Sequence, residues 1–209
     1  MTRILCFSDL HDSEQAIVIL KKKFKKYGPE LVVCAGDLTT FGIDFSKTIN
    51  KMNFGVPFLI IPGNHEMPRQ IESASRQFSF IQNIHNSFFI FKNLFFFGIG
   101  GSNITPFNTP FEMNEHQIKE NIKKAYEKIK EKIENRKLIL ISHTPPFKTK
   151  LDRVDSSHVG SIAIRRFIEK FQPILNICGH IHENEELSDR IKKTRVINPG
   201  SYGKIIELK

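Results

Sequence analysis

The chain has 209 residues, of which 40% are hydrophobic and 25% charged, so it is long enough to bury one substantial core and is neither disordered nor fibrous in composition. Its net charge of +9 and pI near 9.5 favour anionic partners in general. Much of that excess lies in "LKKKFKKYG" and "IKKAYEKIKEKIENRK", which read as solvated helix faces, so a nucleic-acid partner has weak support. Cys6, Cys34 and Cys178 sit in or beside apolar runs without CxxC spacing, which predicts buried free thiols in a reducing compartment. The start, "MTRILCFSD", lacks a basic region followed by a long apolar stretch, and a cytoplasmic location is expected.

Along the chain, apolar, β-branched or aromatic runs end repeatedly in polar turns: "RILCFSDLHD", "ELVVCAGDLTT" and "VPFLIIPGNHE" come first. The run from Phe88 to Gly101 is broken by Lys92 and Asn93. It is shorter than the roughly 20 residues that span a bilayer, so it reads as a hairpin and no membrane partner is expected. That Phe-rich pair is expected in the core or at a sheet edge; if exposed, it would serve a homo-oligomer or wall a substrate. "KLILISHTPP", "PILNICGHIHE", "RVINPGS" and "GKIIELK" follow. Helical patterns occupy Glu14 to Lys26, Asp44 to Met52, Glu66 to Phe78, Asn114 to Asn135 and Gly160 to Lys170. Strand–helix alternation in the first half predicts parallel crossovers, with the hairpin and the last two strands as antiparallel additions. No repeat or long linker divides the chain, so residues 1–209 read as a single α/β domain.

Five of these strands end in polar clusters: Asp9 with His11, Asp37, Asn64 with His65, His143, and His180 with His182. In open α/β sheets the carboxyl ends of strands build the site, which would bring all eight residues to one rim. Four imidazoles, two carboxylates and a carboxamide suit manganese, iron, cobalt, nickel or zinc rather than calcium or magnesium. Seven ligands exceed what one ion uses, whereas two divalent ions can share them if a carboxylate bridges. Such a pair acidifies a bridging hydroxide. Of about four positive charges, two aspartates and the hydroxide cancel only three, and the remainder favours a phosphate group.

The ordered series D-x-H, G-D, G-N-H-E, S-H and G-H-x-H, spanning Asp9 to His182, resembles the calcineurin-like metallophosphoesterase superfamily. The resemblance implies a four-layer α-β-β-α sandwich, two mixed β-sheets flanked by helices, and a dinuclear site that hydrolyses phosphoesters. By motif, Asp9, His11 and His182 resemble ligands of one metal and Asn64, His143 and His180 those of the other, with Asp37 bridging. His65 resembles the residue that contacts the scissile phosphate and protonates the leaving oxygen. "INPGS", Ile197 to Ser201, is similar to a segment that small members place beside the site.

"GDLTTFG" departs from the protein-phosphatase branch, which carries a further Asp to orient the catalytic histidine; Thr39 and Thr40 stand here instead. The short blocks look more like small prokaryotic members described as cyclic-nucleotide phosphodiesterase-like. A metal-dependent phosphohydrolase, a phosphodiesterase rather than a protein phosphatase, is therefore expected. A non-catalytic metal-binding scaffold and a nuclease are the alternatives. His158 is a candidate substrate contact or an ordinary cap-region histidine, and Arg153 and Arg165 read as solvated. Glu66 and Glu183 could support neighbouring ligands, or Glu66 could place charge at a helix N-terminus.

Overall fold

A computed structural model of the chain describes residues 1–208. Three parallel crossovers open it: β1 (Thr2–Phe7), α1 (Glu14–Tyr27), β2 (Leu31–Cys34), α2 (Phe45–Lys51), β3 (Phe58–Ile60), α3 (Pro68–Gln77) and β4 (Ile81–Asn83). The Phe-rich run forms an antiparallel hairpin, β5 (Phe88–Phe91) and β6 (Leu94–Ile99), turning at Lys92 and Asn93 as its sequence predicts. Next come two short strands, β7 (Ser102–Asn103) and β8 (Glu112–Met113), then α4 (Glu115–Ile133) and β9 (Lys137–Ser142). The last part holds β10 (Arg153–Val154), β11 (Ser157–His158), α5 (Ile162–Phe171), β12 (Leu175–Ile177), β13 (Ser188–Ile191), β14 (Thr194–Ile197) and β15 (Lys204–Leu208).

Helix ends follow local chemistry. Ser13 caps α1 by accepting from the Ala16 N–H, and Gly28 closes it in the left-handed region at φ +55°. Asn114 and Gln117 form a reciprocal capping box on α4. Pro68 starts α3, which leaves Glu66 outside the helix.

Two large mixed sheets result, ordered β15-β1-β2-β3-β4 and β13-β14-β12-β9-β6-β5. Their central strands are buried on both faces, and alternate residues serve different layers. Leu5, Phe7, Val32 and Phe58 pack under α1, α2 and α3 with Leu20, Ile49 and Ile71. Ile4, Cys6, Val33 and Leu59 face the second sheet, meeting Phe96, Ile139 and Ile177. Phe95, Phe97 and Leu140 turn outward to Ile122 of α4 and Phe167 of α5. This is the four-layer α-β-β-α arrangement. All three cysteines are buried and free, as predicted.

One pairing differs from expectation. β15 is antiparallel to β1, but β14 runs parallel to β12, with Ile197 opposite Ile177. Its antiparallel partner is β13, whose "SDRI" is a largely polar edge strand without the apolar pattern that announces one. β5 forms the opposite edge of that sheet. Among the described residues, no helix is long and apolar enough to cross a membrane.

Candidate metal centre

Each predicted ligand follows a strand's carboxyl end, and the two sheets contribute to one rim. β1, β2 and β3 deliver Asp9, His11, Asp37, Asn64 and His65; β9 and β12 deliver His143, His180 and His182. Backbone bonds lock these loops together: Asp9 N–H to Gly36 O at 3.0 Å, His11 N–H to Asp37 O at 3.2 Å, and Gly179 N–H to His143 O at 2.9 Å. Asp9, His11, Asp37 and His180 all adopt positive φ, a strained backbone held by its surroundings. Two motif glycines allow the approach. A Cβ on Gly63 would lie 1.9 Å from Asp37 Oδ1, and one on Gly179 would lie 2.3 Å from Asp9 Oδ2.

The side chains converge in two overlapping groups. His182 Nε2 lies 3.7 Å from Asp9 Oδ1, and His11 Nε2 lies 3.8 Å from Asp37 Oδ2. Asn64 Oδ1 lies 2.8 Å from both His143 Nε2 and His180 Nδ1. Asp37 Oδ2, 3.4 Å from His143 Nε2, belongs to both groups. Its other oxygen accepts from the His65 backbone N–H at 2.9 Å. Adjacent donors on an ion with bonds of about 2.1 Å sit about 3.0–3.4 Å apart in octahedral or tetrahedral geometry. The observed spacings bracket that range. His11 Nε2 is also buried without a hydrogen-bond partner, an arrangement that a metal satisfies. The donors therefore fit divalent metals of the nitrogen- and oxygen-binding kind.

Charges are strongly coupled. Burial opposes the imidazolium of His143, yet Asp37 outweighs it and raises this group to about 9. Burial likewise opposes the Asp37 carboxylate, yet His143 and the His65 N–H hold it well below the usual range. His180 is pushed down to about 4 by burial and by the charge on His143. Burial also lowers His11, whereas the bond to Asp9 raises His182.

Other residues brace the ligands. Glu66, fully buried, accepts from Asp37 N at 3.0 Å, Gly63 N at 2.9 Å and Thr39 N at 2.8 Å, tying the G-D block to the G-N-H-E block. Burial and the Asp37 charge push its carboxyl up to about 8. Glu66 thus supports the Asp37 loop rather than charging a helix end. Asn64 Nδ2 donates to Thr109 Oγ1 at 3.0 Å, and that hydroxyl donates to Glu112 Oε1 at 2.5 Å, so the carboxamide oxygen is turned toward the two histidines. No motif marks Thr109 or Glu112 in the sequence. Asn198 of "INPGS" bonds Ile181 O and contacts Ser8, placing that segment beside the ligand loops.

His65 sits at the rim. Its Nδ1 accepts the Phe41 N–H at a long 3.5 Å, and its ring packs between those of Phe41 and His11, with centroids 4.7 and 4.8 Å away. Among the described residues, no carboxylate forms an ion pair with this ring. His158 lines a cavity that adjoins the cleft over the cluster and shares Asn103, Ile104 and Val159 with it, and its Nδ1 bonds buried Asp152 at 2.7 Å. Arg165 is engaged by Glu169 and by the carbonyls of Phe147 and Lys148. Arg153 is exposed, its guanidinium 3.5 Å from Asp155 O.

A cleft of about 610 Å³ opens over the centre. Asp37, Asn64, His65, His180 and His182 line it, together with apolar side chains that include Phe41, Ile104, Phe107, Val154, Val159 and Ile181. No lysine or arginine does, so the chain's basicity is not directed into this cleft.

Comparison with known proteins bears on the family and the fold. MJ1162 of Methanocaldococcus jannaschii is 38% identical over 205 residues, covering 94% of this chain and 87% of its own length. A probable glycerophosphodiester phosphodiesterase of Arcobacter nitrofigilis is 23% identical over 162 residues, 74% of this chain and 57% of that protein. The crystal structure of TT1561 of Thermus thermophilus superposes with a TM-score of 0.75 at 16% identity, over 95% of this chain and 89% of its own. Residues 2–184 match the model of the calcineurin-like phosphoesterases, and the chain belongs to that family.

Proposed function

We infer that the protein is a phosphodiesterase working with a pair of divalent metals. The observation that carries this reading is Asp37 Oδ2, placed between His11 Nε2 and His143 Nε2 at 3.8 and 3.4 Å. One carboxylate oxygen can thereby serve two ligand groups, Asp9–His11–His182 and Asn64–His143–His180. Manganese, iron, cobalt, nickel or zinc bound there supplies Lewis acidity toward phosphoryl oxygens and an acidified water as nucleophile.

The chain's own residues do the rest. Because His65 Nδ1 accepts a hydrogen bond, its N–H is assigned to Nε2, which can donate a hydrogen bond to the departing oxygen as negative charge develops there. The Asp37 bond to the His65 backbone fixes that residue beside the bridging carboxylate. Where the protein-phosphatase branch uses an acidic partner, the Phe41 amide and ring hold the imidazole here, and this supports the phosphodiesterase reading. The relative from Arcobacter nitrofigilis supports it as well.

The test is hydrolysis of bis(4-nitrophenyl) phosphate with added manganese, compared with chelated protein. At least a tenfold gain from metal is expected, and His65→Ala should lower turnover at least tenfold with metal content intact. No metal-dependent hydrolysis of mono-, di- or cyclic phosphoesters would instead support a non-catalytic scaffold.

A further inference from the structure

The apolar side chains beside the metal centre are unusually uncovered. Phe41 is 53% exposed, Ile104 66% and Phe107 78%, and all three line the cleft over the cluster. Isolated exposed hydrophobics need no explanation, but a group of them around one concave site marks a surface kept for a ligand.

The loop that carries two of them is built rather than loose. Glu112 accepts from the Thr105 N–H at 3.1 Å, the Thr105 hydroxyl at 2.6 Å, the Thr109 N–H at 2.9 Å and the Thr109 hydroxyl at 2.5 Å. Thr109 then joins the loop to Asn64 of the metal centre. Ile104 and Phe107 are therefore displayed by a braced turn whose position is set by the ligand group. Phe41, at φ +52°, is displayed by the "GDLTTFG" loop, its ring against His65. The absence of lysine and arginine from the lining removes the electrostatic footprint that a polynucleotide or polyphosphate would call for. The metal ligands provide for one phosphoryl group, and the remaining lining is largely apolar.

We propose that the cleft selects phosphoesters whose ester group is uncharged and apolar, an aryl ring or an alkyl chain, with Phe41, Ile104 and Phe107 forming its receptor. This rests on the phosphoesterase reading of the same site. Rigid aromatic and branched side chains bury such a group with little loss of rotamer freedom.

The test separates binding from turnover. Calorimetry on manganese-loaded protein compares methylphosphonate with hexylphosphonate and phenylphosphonate, which share one headgroup. Hexyl- or phenylphosphonate, or both, should bind at least tenfold tighter than methylphosphonate, and which does so distinguishes a chain receptor from a ring receptor. In the double variant Ile104→Ser, Phe107→Ser, that ratio should fall toward one; exposure of both side chains means the fold should survive, as circular dichroism would confirm. Equal affinities for all three, or a ratio that persists in the folded double variant, would overturn the proposal. Turnover of methyl, hexyl and phenyl 4-nitrophenyl phosphates by the same preparations reads the phosphodiesterase assignment itself. Apolar selectivity in binding without any turnover would overturn that assignment and leave the receptor standing.

Discussion

Replacing Glu66 with Ala tests how Asp37 is held. The carboxyl group receives three backbone donors, from Asp37, Gly63 and Thr39 at 2.8–3.0 Å, plus the Thr39 hydroxyl at 3.3 Å, and it is fully buried. Alanine leaves three buried N–H groups without an acceptor, each costing about 1–3 kcal/mol. Partial relaxation and water entry bring the sum to about 3–6 kcal/mol, a large part of an ordinary domain's stability. Glutamine is the control. Its oxygen can serve Asp37 and Gly63 while its NH₂ faces Thr39, whose hydroxyl can accept but whose N–H cannot, so about 1–3 kcal/mol is expected. Urea unfolding of metal-free protein, followed by far-ultraviolet circular dichroism because the chain has no tryptophan, measures both. A loss below about 1 kcal/mol for alanine, or equal losses for alanine and glutamine, would refute the bracing role.

Two further outcomes follow from the same geometry. Thr109→Val removes the hydroxyl that aligns the Asn64 carboxamide, and manganese affinity should fall about tenfold or more in calorimetric titration. His143, raised to about 9 with Asp37 opposite it, carries a proton at neutral pH that a metal must displace. The sign is therefore fixed: metal affinity rises with pH until about 9, and loading at pH 7 should release at least one proton per chain, read from calorimetry in two buffers of different ionisation enthalpy. No released proton would show that His143 is already neutral.

Much of this architecture is legible in the residues. The ends of β1, β2, β3, β9 and β12 are announced by apolar runs broken by Asp, Asn and His, and the five blocks converge as their order implies. The Lys92–Asn93 turn and the long helices fall close to where periodicity puts them. What escapes is set by contact rather than pattern. β4 and β13 are short and partly polar, so no alternation reveals them. The role of Glu66 depends on Pro68 starting α3, which leaves the side chain free to reach back 29 residues to Asp37. Thr109 lies 45 residues from Asn64, and only the fold joins them. The bond from His158 to Asp152, six residues away, is likewise set by the fold.

Metal stoichiometry tests the central claim most directly. Elemental analysis of manganese-loaded, gel-filtered protein should give two ions per chain, and His11→Ala, folded by circular dichroism, should retain one. A wild-type value of one, or two ions retained by His11→Ala, would contradict an Asp37-bridged pair.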